Sequence, residues 1–199
     1  MKLEKKSRIL YAVAIGLLIF LYFLPIWRID LKAPQYPEGI GLYILIDDII
    51  GQERNNLLSV NRLNKYIGMK PIVPEEIPEL TLMPFILGAV IVIGVICWFT
   101  GKRNYLIGWI LLLAVVGIAG LADFYIWAYD YGTNLDPQAP IKIPGMTYIP
   151  PLIGTKQLLN ITASSYPASG GIIAGISGLL AIVALYIDIQ LRKMKRSQQ

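Results

Sequence analysis

Four stretches of this chain are nearly unbroken apolar runs, and the segments between them alternate or are broken by Pro and Gly. Ile9 to Trp27, Leu82 to Thr100, Tyr105 to Trp127 and Gly171 to Leu191 each approach the about 20 mostly apolar residues that a helix needs to cross a bilayer. The pattern therefore predicts four transmembrane helices. The first run is too long for a removed signal peptide and lacks a small-residue cleavage site before Pro25-Ile26-Trp27. Residues 1–8 and 192–199 become short tails, 101–104 a tight turn, and 28–81 and 128–170 two long loops on the opposite side.

Inside the first loop the pattern changes. "WRIDL" before the "PQYPEG" turn, followed by the β-rich "IGLYILIDDIIG", predicts a hairpin. In "NNLLSVNRLNKYI", Leu57, Leu58, Val60, Leu63 and Ile67 recur at helical intervals behind an Asn cap, which predicts a short helix. Together they make a small outer α+β cap. The second loop holds so many Pro and Gly residues that a fixed but irregular course is expected of it.

The chain also repeats itself. "IWRID" (26–30) is echoed by "IWAYD" (126–130), "PQYP" (34–37) by "PQAP" (137–140), and "KYIGMKPIVP" (65–74) by "KIPGMTYIPP" (142–151), always in the same order. Two tandem repeats of like orientation would be related by a pseudo-twofold axis along the membrane normal. The expected fold is thus an all-α integral membrane protein of four transmembrane helices, with the small α+β cap inserted in its first loop.

Composition agrees with a membrane protein. Hydrophobic residues make up 55% and charged residues 16%, against roughly 45–50% and 25% in soluble domains, and the mean hydropathy is +0.57. Lys2, Lys5, Lys6, Arg8, Lys102, Arg103, Arg192, Lys193, Lys195 and Arg196 all fall on the tails and the short turn. Basic residues gather on the cytoplasmic side, so both termini are expected there, in a bacterial inner membrane. The net charge of +5 then reports topology and contact with anionic lipid, not nucleic-acid binding. Trp27 and Trp127 close their spans on the outer side, and Trp98 and Trp109 lie toward the inner side, as interfacial anchors do.

Chemistry is sparse. With no histidine and only Cys97, which lies in a span, the chain lacks the commonest general base and metal ligand and cannot form an internal disulfide. No phosphate-binding loop of the G-x-x-x-x-G-K type exists either. An enzyme is not expected, and no catalytic residue is assigned. Met69 and Met146, the repeated methionines, are soft thioethers suited to Cu(I), with Asp30, Asp130 and Asp136 as harder candidate partners. Alternatively each Gly-Met only marks a turn whose methionine fills a gap. Asp123 sits inside the third span, where an acid suggests an ion path or a pairing with Lys142 or Lys156, or snorkels to water. Asp188 precedes Arg192 by four positions, the spacing of a helix-surface ion pair. Tyr36, Tyr43, Tyr66, Tyr125, Tyr129, Tyr131, Tyr148 and Tyr166 could form a docking surface on the outer side.

The segments "LPIWRIDLKAPQYPEG", "LNKYIGMK", "YDYGTNLDPQAPIKIPGM" and "YIPPLIGTKQLLN" resemble a four-span family of small bacterial membrane proteins, found especially in the Bacteroidota and neighbouring groups. The resemblance covers nearly the whole chain and brings no established catalytic residue with it. Members are often encoded among accessory genes for nitrous oxide reductase, a periplasmic copper enzyme. The resemblance therefore implies a periplasm-facing helper in denitrification, assisting assembly, copper supply or operation of such an enzyme through a protein partner. Where the family pattern reads "LNHYIGM" and "YDYGHNLDP", this chain has Lys65 and Thr133, so a histidine-based metal site is not carried across. The alternatives are a non-catalytic structural subunit of a larger membrane complex and, last, a small transporter or channel, which a tunnel to Asp123 would favour.

Overall fold

The computed structural model describes residues 2–141, 145 and 147–197, and divides the chain between a helical bundle and a five-stranded antiparallel sheet. In chain order the elements are α1 (Lys5–Leu18), β1 (Trp27–Ala33), β2 (Tyr36–Ile44), β3 (Ile49–Gly51), α2 (Asn56–Ile67), α3 (Pro78–Thr100), α4 (Arg103–Thr133), β4 (Gly154–Leu158), β5 (Ile161–Pro167) and α5 (Ser169–Ser197). The fold is therefore mixed α/β, and the expectation of an all-α, four-span protein is corrected.

Among the described residues three helices, α3, α4 and α5, are long and apolar enough to cross a membrane. The run Ile9 to Trp27 does not form a fourth helix of that length. After 14 residues α1 tightens into a 3-10 turn at Ile19–Tyr22, and the chain is extended by Trp27. Pro25 explains the break, because it donates no backbone N–H and biases the residue before it away from helical geometry.

The duplication does not survive as structure. Ile26 to Asp30 leads into and forms part of strand β1, whereas Ile126 to Asp130 lies within α4. A strand and a helix cannot be superposed, so no twofold axis relates the halves. Context decides the outcome: "WRIDLKA" buries Trp27, Ile29 and Ala33 in alternation, with period two, while "LADFYIWAYDYG" continues a long apolar helical run that meets no Pro until Pro137.

In the sheet the strand order is β3-β2-β1-β5-β4. Strand β1 pairs on one side with β2, as in Ile29 opposite Leu42, and on the other with β5, as in Ile29 opposite Ser165. Both long loops thus contribute to one sheet. The second loop, expected to be irregular, supplies the β4–β5 hairpin from "TKQLLNITASSYP", a run without Pro until its last residue. Helix α2 follows the predicted amphipathic stretch and buries Val60, Leu63 and Ile67. It ends at Gly68, whose φ of +83° is a left-handed conformation that glycine adopts without strain.

Small and polar residues draw the bundle together, which matters because lipid gives helices no hydrophobic reason to associate. Ala14 of α1 and Ala181 and Ala184 of α5 are fully buried, and Ser177 Oγ donates to the Ala14 carbonyl at 2.7 Å. Trp109 is not an interfacial anchor. It is 1% exposed, donates to the Val90 carbonyl at 2.9 Å, and lies so close to Gly94 that a Cβ there would come within 2.6 Å of it.

Candidate functional site

Strands β1, β2 and β5, helix α2 and the sheet-proximal end of α4 converge on a partly open apolar cavity of about 70 Å³. Ile29 and Leu31 come from the sheet, Leu63 and Ile67 from α2, and Trp127 and Tyr131 from α4. Met69 and Tyr148 complete the wall. Trp127 and Tyr131 are one helical turn apart, and their ring centroids stand 4.1 Å from each other. Tyr148 is 2% exposed, yet its hydroxyl has no hydrogen-bond partner among the described residues. A buried, unpaired hydroxyl costs about 1–3 kcal/mol, and with Asn64 it interrupts an otherwise apolar wall. Tyr148 was readable only as one of many outer tyrosines, because nothing local in the sequence marks it for burial.

Met69, the first repeated methionine, therefore lines an apolar cavity. Its backbone N–H bonds to the Asn64 carbonyl at 2.9 Å, closing the turn after α2. Met146 lies outside the described residues. The three carboxylates proposed as harder partners are not among the residues lining the Met69 cavity. Asp30 accepts from Gln52 Nε2 at 2.8 Å and faces Arg28 at 3.7 Å. Asp130 accepts from Lys70 Nζ at 2.9 Å and from the Asn134 amide. Asp136 accepts from the backbone N–H of Gln138 at 2.7 Å. Among the described residues there is no group of three or more His, Cys, Asp or Glu side chains that could hold a metal ion.

The two long loops meet at the Gly68 turn. Asp136 N–H donates to the Gly68 carbonyl at 2.8 Å, and Ile141 N–H to the Tyr66 carbonyl at 3.0 Å. A Cβ on Gly68 would stand 3.0 Å from Ala139 Cβ, so this contact admits only glycine without adjustment. The seam leaves Tyr66 56% and Ile141 45% exposed. Thr133, at the second histidine position of the family pattern, donates to the Tyr129 carbonyl at 2.7 Å, and Lys65, at the first, is exposed.

Trp27 and Trp127 take different places. Trp27 is buried in β1 and donates to Ser165 Oγ at 2.7 Å, while Trp127 packs between Phe124 and Tyr131. Asp123 is exposed on α4, makes no hydrogen bond or ion pair among the described residues, and does not line the cavity beside Trp127 and Tyr131. Asp188, which its spacing suggested as a surface pair with Arg192, is fully buried. It accepts from Glu4 N–H at 2.9 Å and Arg103 Nε at 2.7 Å, with Arg192 Nε at 3.2 Å.

Compared with known proteins, the chain matches no family model and no curated protein.

Proposed function

We propose that the chain is a non-catalytic accessory protein of the bacterial inner membrane whose sheet domain faces the periplasm and docks a protein partner. Both termini and the turn at Gly101 and Lys102 lie on the cytoplasmic side, because the basic residues collect there. The task served is assembly, copper supply or operation of a periplasmic copper enzyme of the nitrous oxide reductase type. The observation that carries the docking part is the seam between the loops, where Tyr66 and Ile141, joined by a backbone hydrogen bond, are both exposed. Exposed aromatic and aliphatic side chains on a fixed scaffold are what binding hot spots are made of. The family resemblance supports the enzyme type, and the Met69 thioether gives the copper reading its soft ligand.

Two measurements test this. In a denitrifying host that carries the gene, its deletion is expected to leave nitrous oxide reductase poor in copper and low in activity. Wild-type chain restores both, and Tyr66→Asp/Ile141→Asp does not. Unchanged activity on deletion overturns the proposal. Separately, anaerobic Cu(I) competition with the purified chain, beside Met69→Ala/Met146→Ala, is expected to show binding that the double variant loses. If the variant competes as well as wild type, copper handling is removed and docking alone is left.

A further inference from the structure

At the opposite end of the bundle a second cavity stands apart from the docking platform. Helices α1 and α3 lie side by side, and Ala12, Ile15, Val95, Trp98 and Phe99 line a groove of about 180 Å³ between them. Phe99 is 71% exposed, so the groove opens onto the apolar surface of the bundle. The indole N–H of Trp98, the groove's one polar side-chain group, is already engaged by the Arg8 carbonyl at 2.9 Å.

A cation marks one end of this groove. Arg8 lies about one helical turn before Ala12. Its guanidinium carbon sits 5.0 Å from the centre of the Trp98 ring, and Nη2 reaches the Trp98 carbonyl at 3.4 Å. Its Nε is buried without a hydrogen-bond partner among the described residues. The acids at this end are engaged elsewhere: Asp188 holds Arg103 and Arg192, and Glu4 holds Lys195. Arg8 forms no ion pair among the described residues, and Lys5, three residues before it on α1, and Lys102, next to the Gly101 that packs on the Arg8 guanidinium, add further positive charge nearby.

We propose that this groove binds an anionic phospholipid, with one acyl chain against Ala12, Ile15, Val95, Trp98 and Phe99 and the phosphate on Arg8. A planar guanidinium offers paired donors that match phosphate oxygens, and stacking on Trp98 holds it in place before the ligand arrives. The apolar walls take a chain and nothing charged. A choline or ethanolamine group would bring positive charge toward Lys5 and Lys102, so an anionic headgroup is preferred over a zwitterionic one. Basic pockets between membrane helices on the cytoplasmic side bind anionic headgroups on the same principle.

Native mass spectrometry of the full chain in detergent, with equimolar phosphatidylglycerol and phosphatidylcholine, tests the site. One retained phosphatidylglycerol, favoured about fivefold, is expected from one well-placed basic residue. Arg8→Gln should abolish the preference, and Ala12→Phe, which fills the groove and leaves every charge in place, should abolish it too. If Arg8→Gln fails to fold, Ala12→Phe decides. Lys6→Gln should keep it, and inorganic phosphate should not displace the lipid. Equal retention of the two lipids, a preference surviving Ala12→Phe, an equal loss in Lys6→Gln, or displacement by phosphate alone would each overturn the proposal.

Discussion

Asp188 shows how much a single residue can decide. Its carboxylate is wholly buried and gathers the Glu4 N–H, the Arg103 guanidinium and the Arg192 Nε, tying the chain's beginning, the start of α4 and the end of α5 into one knot. Removing one partner from a buried ion pair leaves uncompensated charge and costs several kcal/mol. Asp188→Asn is therefore expected to lower stability by about 3 kcal/mol, read as an earlier thermal unfolding transition in detergent. Arg192→Gln, which removes the longer of the two arginine contacts (3.2 Å against 2.6 Å) and leaves Arg103 and the Glu4 N–H on the carboxylate, should cost less than Asp188→Asn. The sequence exposes only the Arg192 part of this knot, through its spacing of four. Arg103 and Glu4 are 85 and 184 positions away, and no local pattern brings them together.

Secondary structure was legible where local pattern and tertiary demand agree, and illegible where they part. Helix α2 and the β1–β2 hairpin follow from their own periodicities. The two Ile-Trp-x-x-Asp segments look alike over five residues, but their flanks send one into a strand and the other into a helix. The β4–β5 hairpin was hidden by neighbouring prolines that lie outside it, save for Pro167 at its end. That hairpin is held to the first loop by Ser165, which accepts from Trp27 Nε1 and donates to the Leu152 carbonyl at 3.0 Å. Ser165→Ala leaves the Trp27 N–H buried and unpaired, so a loss of about 1–3 kcal/mol is expected. Faster hydrogen exchange along β1 and β5, with the helical bundle unaffected, is the measurement that checks it. Exchange that changes equally everywhere would mean that sheet and bundle unfold as one unit.

Taken whole, the molecule has a basic end and a sheet end, and its contacts fix which segments share each. Leu3 N–H donates to the Gly101 carbonyl at 2.6 Å and Lys195 pairs with Glu4 at 2.9 Å, so both chain ends and the α3–α4 turn lie together. From there α1 and its 3-10 turn climb beside α5 to the sheet, where Tyr22 donates to the Pro84 carbonyl at 2.6 Å. This arrangement makes a prediction about sidedness that is stronger than counting apolar runs, because it links sites far apart in sequence. In a Cys97→Ser background, Glu38→Cys and Gln138→Cys, one on each long loop, should react with an impermeant maleimide in intact cells. Lys102→Cys and Lys193→Cys should react only after the membrane is opened. If all four behave in reverse, the orientation drawn from the basic residues is wrong while the fold stands. If Lys102→Cys and Lys193→Cys fall on different sides, the packing of the chain ends against the Gly101 turn is itself refuted, and with it the placement of Arg8 beside Trp98.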